Sequence, residues 1–169
     1  MRRQHCCHIK RLWAMSSIQQ KLTSHIEQIV NPGETFKMVV TGYSMLPLLG
    51  YGRDTIILRR TTDDEDIMGR IAMFRASDGH IVVHRIIAVE GDVVTLRGDG
   101  NILQCESSLR KDILGVVESV VRESGREVSC LSRWWRVRER VWLAMPMFIR
   151  RYALAIIRRM ANLKRRIKG

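Results

Sequence analysis

The chain has 169 residues, 46% of them apolar, enough for one domain with a core, which excludes disorder throughout. Its formal charge of +12 is unevenly placed: residues 1–14 carry four Lys/Arg and no acid, residues 15–130 carry 13 against 16 Asp/Glu, and residues 131–169 carry 12 against Glu139 alone. No run of about 18 apolar residues exists to span a bilayer, no secretory pattern opens the chain, and Cys6, Cys7, Cys105 and Cys130 lack framework spacing, which points to free thiols in a reducing compartment.

Residues 1–14 read as a disordered extension or as sequence ahead of a true start at Met15. Within it, His5-Cys6-Cys7-His8 places four donors side by side, but adjacent ligands without a second spaced pair chelate zinc poorly, so no metal is expected. Over 15–33 a short amphipathic helix is predicted: Ile18, Leu22, Ile26 and Ile29 keep helical spacing, Ser17 and Gln20 form a capping box, and Asn31-Pro32-Gly33 stops it. Residues 34–130 change to short β-rich runs at 36–40, 55–59, 70–74, 80–88, 93–97 and 113–121, separated by turns such as Ser77-Asp78-Gly79 and Glu90-Gly91-Asp92. That spacing predicts a mainly β domain. Over 131–169 apolar residues recur every three or four positions from Trp134 to Ile167, arginines occupy much of the rest, and Pro146 is expected to kink or divide the helix.

Chemistry concentrates in the β region. In MVVTGYSMLPLLGYGRD, Ser44 follows a predicted strand and sits two residues after Gly42, ahead of Pro47. A nucleophilic serine needs an exposed hydroxyl, close backbone approach by the substrate and N–H groups aimed at the developing oxyanion, which a glycine-flanked corner can offer. A serine that merely stabilises a turn fits the same local pattern. No lysine lies between Lys37 and Lys111, so a serine–lysine dyad within the β core has no candidate. The histidines there are His80 and His84, which share one face of the strand HIVVHRIIA, so alternation alone does not choose between them. Asp99, in the turn Leu96-Arg97-Gly98-Asp99-Gly100-Asn101, is placed for a hairpin to return it beside the histidine strand, and it is equally a common turn residue.

Taken together these segments resemble the S24/S26 superfamily of serine peptidases, which holds the type I signal peptidases and the LexA-type self-cleaving repressors. Ser44-Met45-Leu46-Pro47 is similar to the signal peptidase motif Ser-Met-x-Pro. His84-Arg85-Ile86-Ile87 resembles the His-Arg segment of the branch in which histidine replaces the catalytic lysine, and Arg97-Gly98-Asp99-Gly100-Asn101 its Gly-Asp-Asn-Asn segment. The resemblance covers about residues 36–121 and implies a mainly β S24/S26 fold flanked by the N-terminal helix and the basic C-terminal helices. It implies Ser44 as nucleophile, His84 as general base, Asp99 orienting the imidazole, a groove shaped by Gly42, Met45 and Pro47, and no cofactor. The substrate would be an extended peptide or precursor protein.

Two positions depart from the pattern. Gly42 stands where signal peptidases carry a serine whose hydroxyl assists the oxyanion, leaving that task to the amides of Ser44 and Met45. Cys105 stands where the histidine branch places a second aspartate, and a thiol does not replace a carboxylate. A non-catalytic peptide-binding or membrane-recruiting module with a degraded site is therefore the alternative. A self-cleaving regulator would need a DNA-binding domain that the 20 residues from Met15 to Glu34 are too few to form. The basic tail is expected to meet an anionic membrane surface, with Trp134, Trp135, Trp142 and Phe148 inserted and arginines on lipid phosphates, or to pack on the domain; nucleic acid is not expected as a partner, and a cytoplasmic, peripherally membrane-bound location follows from these readings.

Overall fold

The computed structural model describes residues 35–101 and 104–168. The predicted extension over 1–14, the helix over 15–33 and the His5-to-His8 cluster lie outside these described residues. Eight strands follow in chain order: β1 (Thr35–Val39), β2 (Thr55–Arg59), β3 (Ile71–Arg75), β4 (Ile81–Glu90), β5 (Val93–Arg97), β6 (Cys105–Leu109), β7 (Ile113–Val121) and β8 (Glu127–Ser129). Two helices close the chain, α1 (Arg133–Ala144) and α2 (Met147–Lys168). All six predicted strands form, each with its ends within two residues of the expected ones. The mainly β class predicted from the spacing is what the structure has.

The strands build one antiparallel sheet in the order β1-β2-β7-β3-β4-β5-β6, with β8 on β7. Consecutive hairpins β3-β4-β5-β6 make one half, and the long β7 returns between β2 and β3 to join it to β1 and β2. Strand β3, IAMFR, is an unbroken apolar run because both its faces are covered: Ile71 and Met73 enter one core with Leu49, Ile56 and Val117, while Ala72 and Phe74 enter another with Ile86, Leu96 and Val116. A strand buried on both faces loses the apolar–polar alternation of a half-exposed one.

Ser132 caps α1, its hydroxyl oxygen accepting a hydrogen bond from the Trp135 amide. Pro146 lacks an N–H and ends the run, so of the two outcomes expected there, a kink or a division, the structure has the division into two helices. Helical phase then separates two adjacent tryptophans. Trp135 is 2% exposed and packs into the larger core, with the Arg122 guanidinium 5.5 Å over its ring, whereas Trp134 is 79% exposed. Trp135→Ala should therefore lower the unfolding free energy by about 3–5 kcal/mol, and Trp134→Ala should stay within about 0.5 kcal/mol of the parent. Urea unfolding followed by far-UV circular dichroism checks both.

Candidate active site

Ser44 lies in the turn segment after β1, half-buried, with its neighbours Met45, Leu46, Leu48 and Leu49 buried. Those apolar side chains hold the loop down while the serine stays accessible. Behind it, the Asp54 carboxylate accepts hydrogen bonds from the Gly50 amide at 2.7 Å and from the Arg122 guanidinium, which also donates to the Leu48 carbonyl at 2.9 Å. Buried Asp54, at the end of the sequence stretch that opens on the nucleophile candidate, is thus a loop anchor that spacing did not single out.

The front of the loop meets the turn after β5. The Gly100 amide donates to the Ser44 carbonyl at 2.6 Å. A Cβ placed on Gly98 would lie 2.6 Å from the Ser44 carbonyl oxygen, 3.1 Å from Ser44 Cβ and 3.1 Å from His84 Nε2. One on Gly100 would lie 3.0–3.2 Å from the carbonyl oxygens of Tyr43, Ser44 and Leu46. Both glycines are required by close approach of two backbones. The Gly98 contact also shows that Ser44 and the imidazole edge of His84, 40 residues apart in the chain, converge on one point.

The structure separates the two histidines that alternation left together. His80 sits just before β4, with nearly half its side chain exposed and Nδ1 2.9 Å from Asp78. His84 is inside β4, 3% exposed, its ring 6.0 Å from that of Phe74. Burial pushes the His84 pKa below the ordinary imidazole value, since charging the ring in an apolar surround is costly; the carboxylates of Glu106 and then Asp99 oppose that shift. At neutral pH the ring is uncharged and able to accept a proton.

Pleating explains which acid faces it. Ile86, two residues on from His84, pairs with Leu96 on β5, and Leu96 pairs with Glu106 on β6, so His84 and Glu106 share a face. Glu106 Oε2 lies 3.6 Å from His84 Nδ1. Although 39% of the Glu106 side chain is exposed, that oxygen is turned inward, and neither atom makes a hydrogen bond with any described residue. Cys105 pairs with Arg97 and so belongs to the opposite face.

Asp99, expected to orient the imidazole, is held elsewhere. Its carboxylate accepts from Arg85 Nε at 2.8 Å and from the Arg85 terminal nitrogen at 2.7 Å, in a bidentate pair whose members are both buried. It reaches His84 only through its field, less strongly than Glu106 does. Its backbone carbonyl accepts from Trp142 Nε1 at 3.0 Å and from Arg150 at 2.9 Å, and the Gly100 carbonyl from Arg158 at 3.2 Å. The C-terminal helices are therefore fastened to the turn that holds Ser44.

Of the expected groove residues, Met45 is 2% exposed, its side chain packed into the larger core with Leu48, Leu49 and Ile56, so it forms no groove wall. Pro47 is half-buried, its peptide bond with Leu46 cis. Gly42 is exposed, and a Cβ there would stand 3.8 Å from Ser44 Oγ, in ordinary contact. Among the described residues, the amides of Ser44 and Met45 donate to no backbone carbonyl. Glu106 and Arg150 were not singled out from the sequence, whereas Trp142, expected with Trp135 to insert into a membrane, is instead buried against the domain with its ring N–H on the Asp99 carbonyl. No protein-family model and no curated protein matches the chain.

Removing the Asp99 carboxylate strands a buried guanidinium. Asp99→Ala should lower the unfolding free energy by about 3–5 kcal/mol. Asp99→Asn, whose amide oxygen still accepts one bond, should cost less, and chemical denaturation of the two variants side by side measures the difference.

Proposed function

We propose that the chain is a serine endopeptidase of the S24/S26 type, with Ser44 as nucleophile and His84 as general base. The observation that carries this reading is the convergence of Ser44 and His84 Nε2 on the space above Gly98, where no side chain fits. Two features support it further: a neutral, buried imidazole, and an inward carboxylate oxygen beside its far nitrogen. A turn-stabilising serine would require none of the three.

In this reading Glu106, rather than Asp99, orients the base. Its carboxylate selects the tautomer with the proton on Nδ1, leaving the Nε2 lone pair for the Ser44 hydroxyl. Ser44 Oγ attacks the peptide carbonyl carbon as its proton passes to His84, and the imidazolium is stabilised by Glu106. The oxyanion is met by the amides of Ser44 and Met45, since Gly42 offers no hydroxyl. His84 returns the proton to the leaving amine, and a water activated by the same ring then hydrolyses the acyl-enzyme. The substrate is an extended peptide or precursor protein lying along β1, the edge strand that runs directly into the Ser44 loop.

Incubation with a peptide library and mass spectrometry of the products tests the proposal. Ser44→Ala should abolish cleavage, and Glu106→Gln should lower kcat/KM by about 100-fold while shifting the acid limb of the profile downward, because the carboxylate that raises the His84 pKa is gone. Cleavage by Ser44→Ala at the parent rate would refute the assignment. Peptide binding without cleavage by the parent would instead make the chain a non-catalytic peptide-binding module.

A further inference from the structure

The outer face of the C-terminal helices is not used by the candidate active site. Their inner face carries Trp135, Trp142, Arg150 and Leu154 onto the β domain, and Glu139 is bonded to Arg85. On the other side Trp134, Val137 and Val141 of α1 are exposed at helical spacing, followed by Phe148, Tyr152, Ile156 and Met160 of α2 at every fourth residue. Phe148 is 64% exposed and Tyr152 72%. This apolar stripe is accompanied by exposed Arg133, Arg136, Arg138, Arg140, Arg151 and Arg159, and the only acid in residues 131–169, Glu139, is committed to Arg85. Among the described residues no helix is long and apolar enough to cross a bilayer.

We infer that α1 and α2 form an interfacial docking surface for an anionic lipid membrane, with the aromatic stripe in the acyl boundary and the arginines on lipid phosphates. Three observations select this occupant. Hydrocarbon contact and anionic charge are needed side by side along two helices, and a bilayer with acidic headgroups supplies both over that length. Trp134 and Tyr152, amphipathic rings suited to the headgroup boundary, are the two most exposed residues of the stripe. A second copy would set one +11 segment against another, which disfavours self-association. The inference stands independently of the peptidase reading. If both hold, the hydrogen bonds from Trp142, Arg150 and Arg158 to the Asp99–Gly100 turn would hold the catalytic pair at the lipid surface.

Flotation of the full chain with vesicles tests the inference. Binding to phosphatidylcholine vesicles with about 30% phosphatidylglycerol should exceed binding to pure phosphatidylcholine by at least about tenfold and fall by a similar factor at about 0.5 M salt. The triple variant Trp134→Glu, Phe148→Glu, Tyr152→Glu changes only exposed positions; it should keep the parent circular dichroism spectrum and lose at least about tenfold in binding to the anionic vesicles. Equal binding of parent and triple variant, or binding to neutral vesicles as strong as to anionic ones, would overturn the inference. So would sedimentation showing a parent dimer that the triple variant dissolves, since the stripe would then belong to a second copy.

Discussion

The buried Arg85–Asp99 pair is the constraint on which the candidate site depends. Burying two charges is costly, and the loss is offset only when geometry is good and the remaining donors and acceptors find partners. Here both carboxylate oxygens are taken by one guanidinium, whose other donors reach the Gly69 carbonyl at 2.7 Å and Glu139 on α1. Arg85 adjoins His84 in β4, and Asp99 sits between the two glycines that touch the Ser44 loop. One ion pair therefore fixes the histidine strand, the serine loop and the first C-terminal helix relative to one another. An aspartate read from spacing as a partner of the imidazole turns out to be the anchor of the turn.

Much of this was legible in the chain, and what was not has physical causes. Alternating or continuous apolar runs located six strands because their side chains enter a core. Strand β6, CESSL, escaped because its half-buried positions are Glu106 and Ser108, polar residues on an edge, and β8 has three residues only. Missing β6 meant missing Glu106, for register alone shows that Cys105 and Glu106 face opposite ways. His84 and His80 share a face by count, and only the start of the strand, after His80, divides the buried ring from the exposed one. Long-range bonds such as that from Trp142 to the Asp99 carbonyl leave no local signature, since the partners are 43 residues apart.

The uneven charge noted first in the composition has a structural counterpart. The β domain is close to neutral and carries the candidate chemistry, while the arginines collect on helices whose inner face is bonded into that chemistry. Arginine serves both sides: Arg122 and Arg150 lie over Trp135 and Trp142 with their guanidinium groups on loop carbonyls, and others face outward. The helices thus link surface and site through specific bonds.

The most direct test of the central claim, that His84 activates Ser44, is the rate at which a fluorophosphonate labels the intact protein as a function of pH. Labelling is expected at Ser44, with an acid limb below the ordinary imidazole value of 6.5 because burial depresses the His84 pKa and a loss of about 100-fold or more in His84→Ala. Labelling that is equally fast in His84→Ala, or that climbs steadily with pH as for an unassisted hydroxyl, would contradict it.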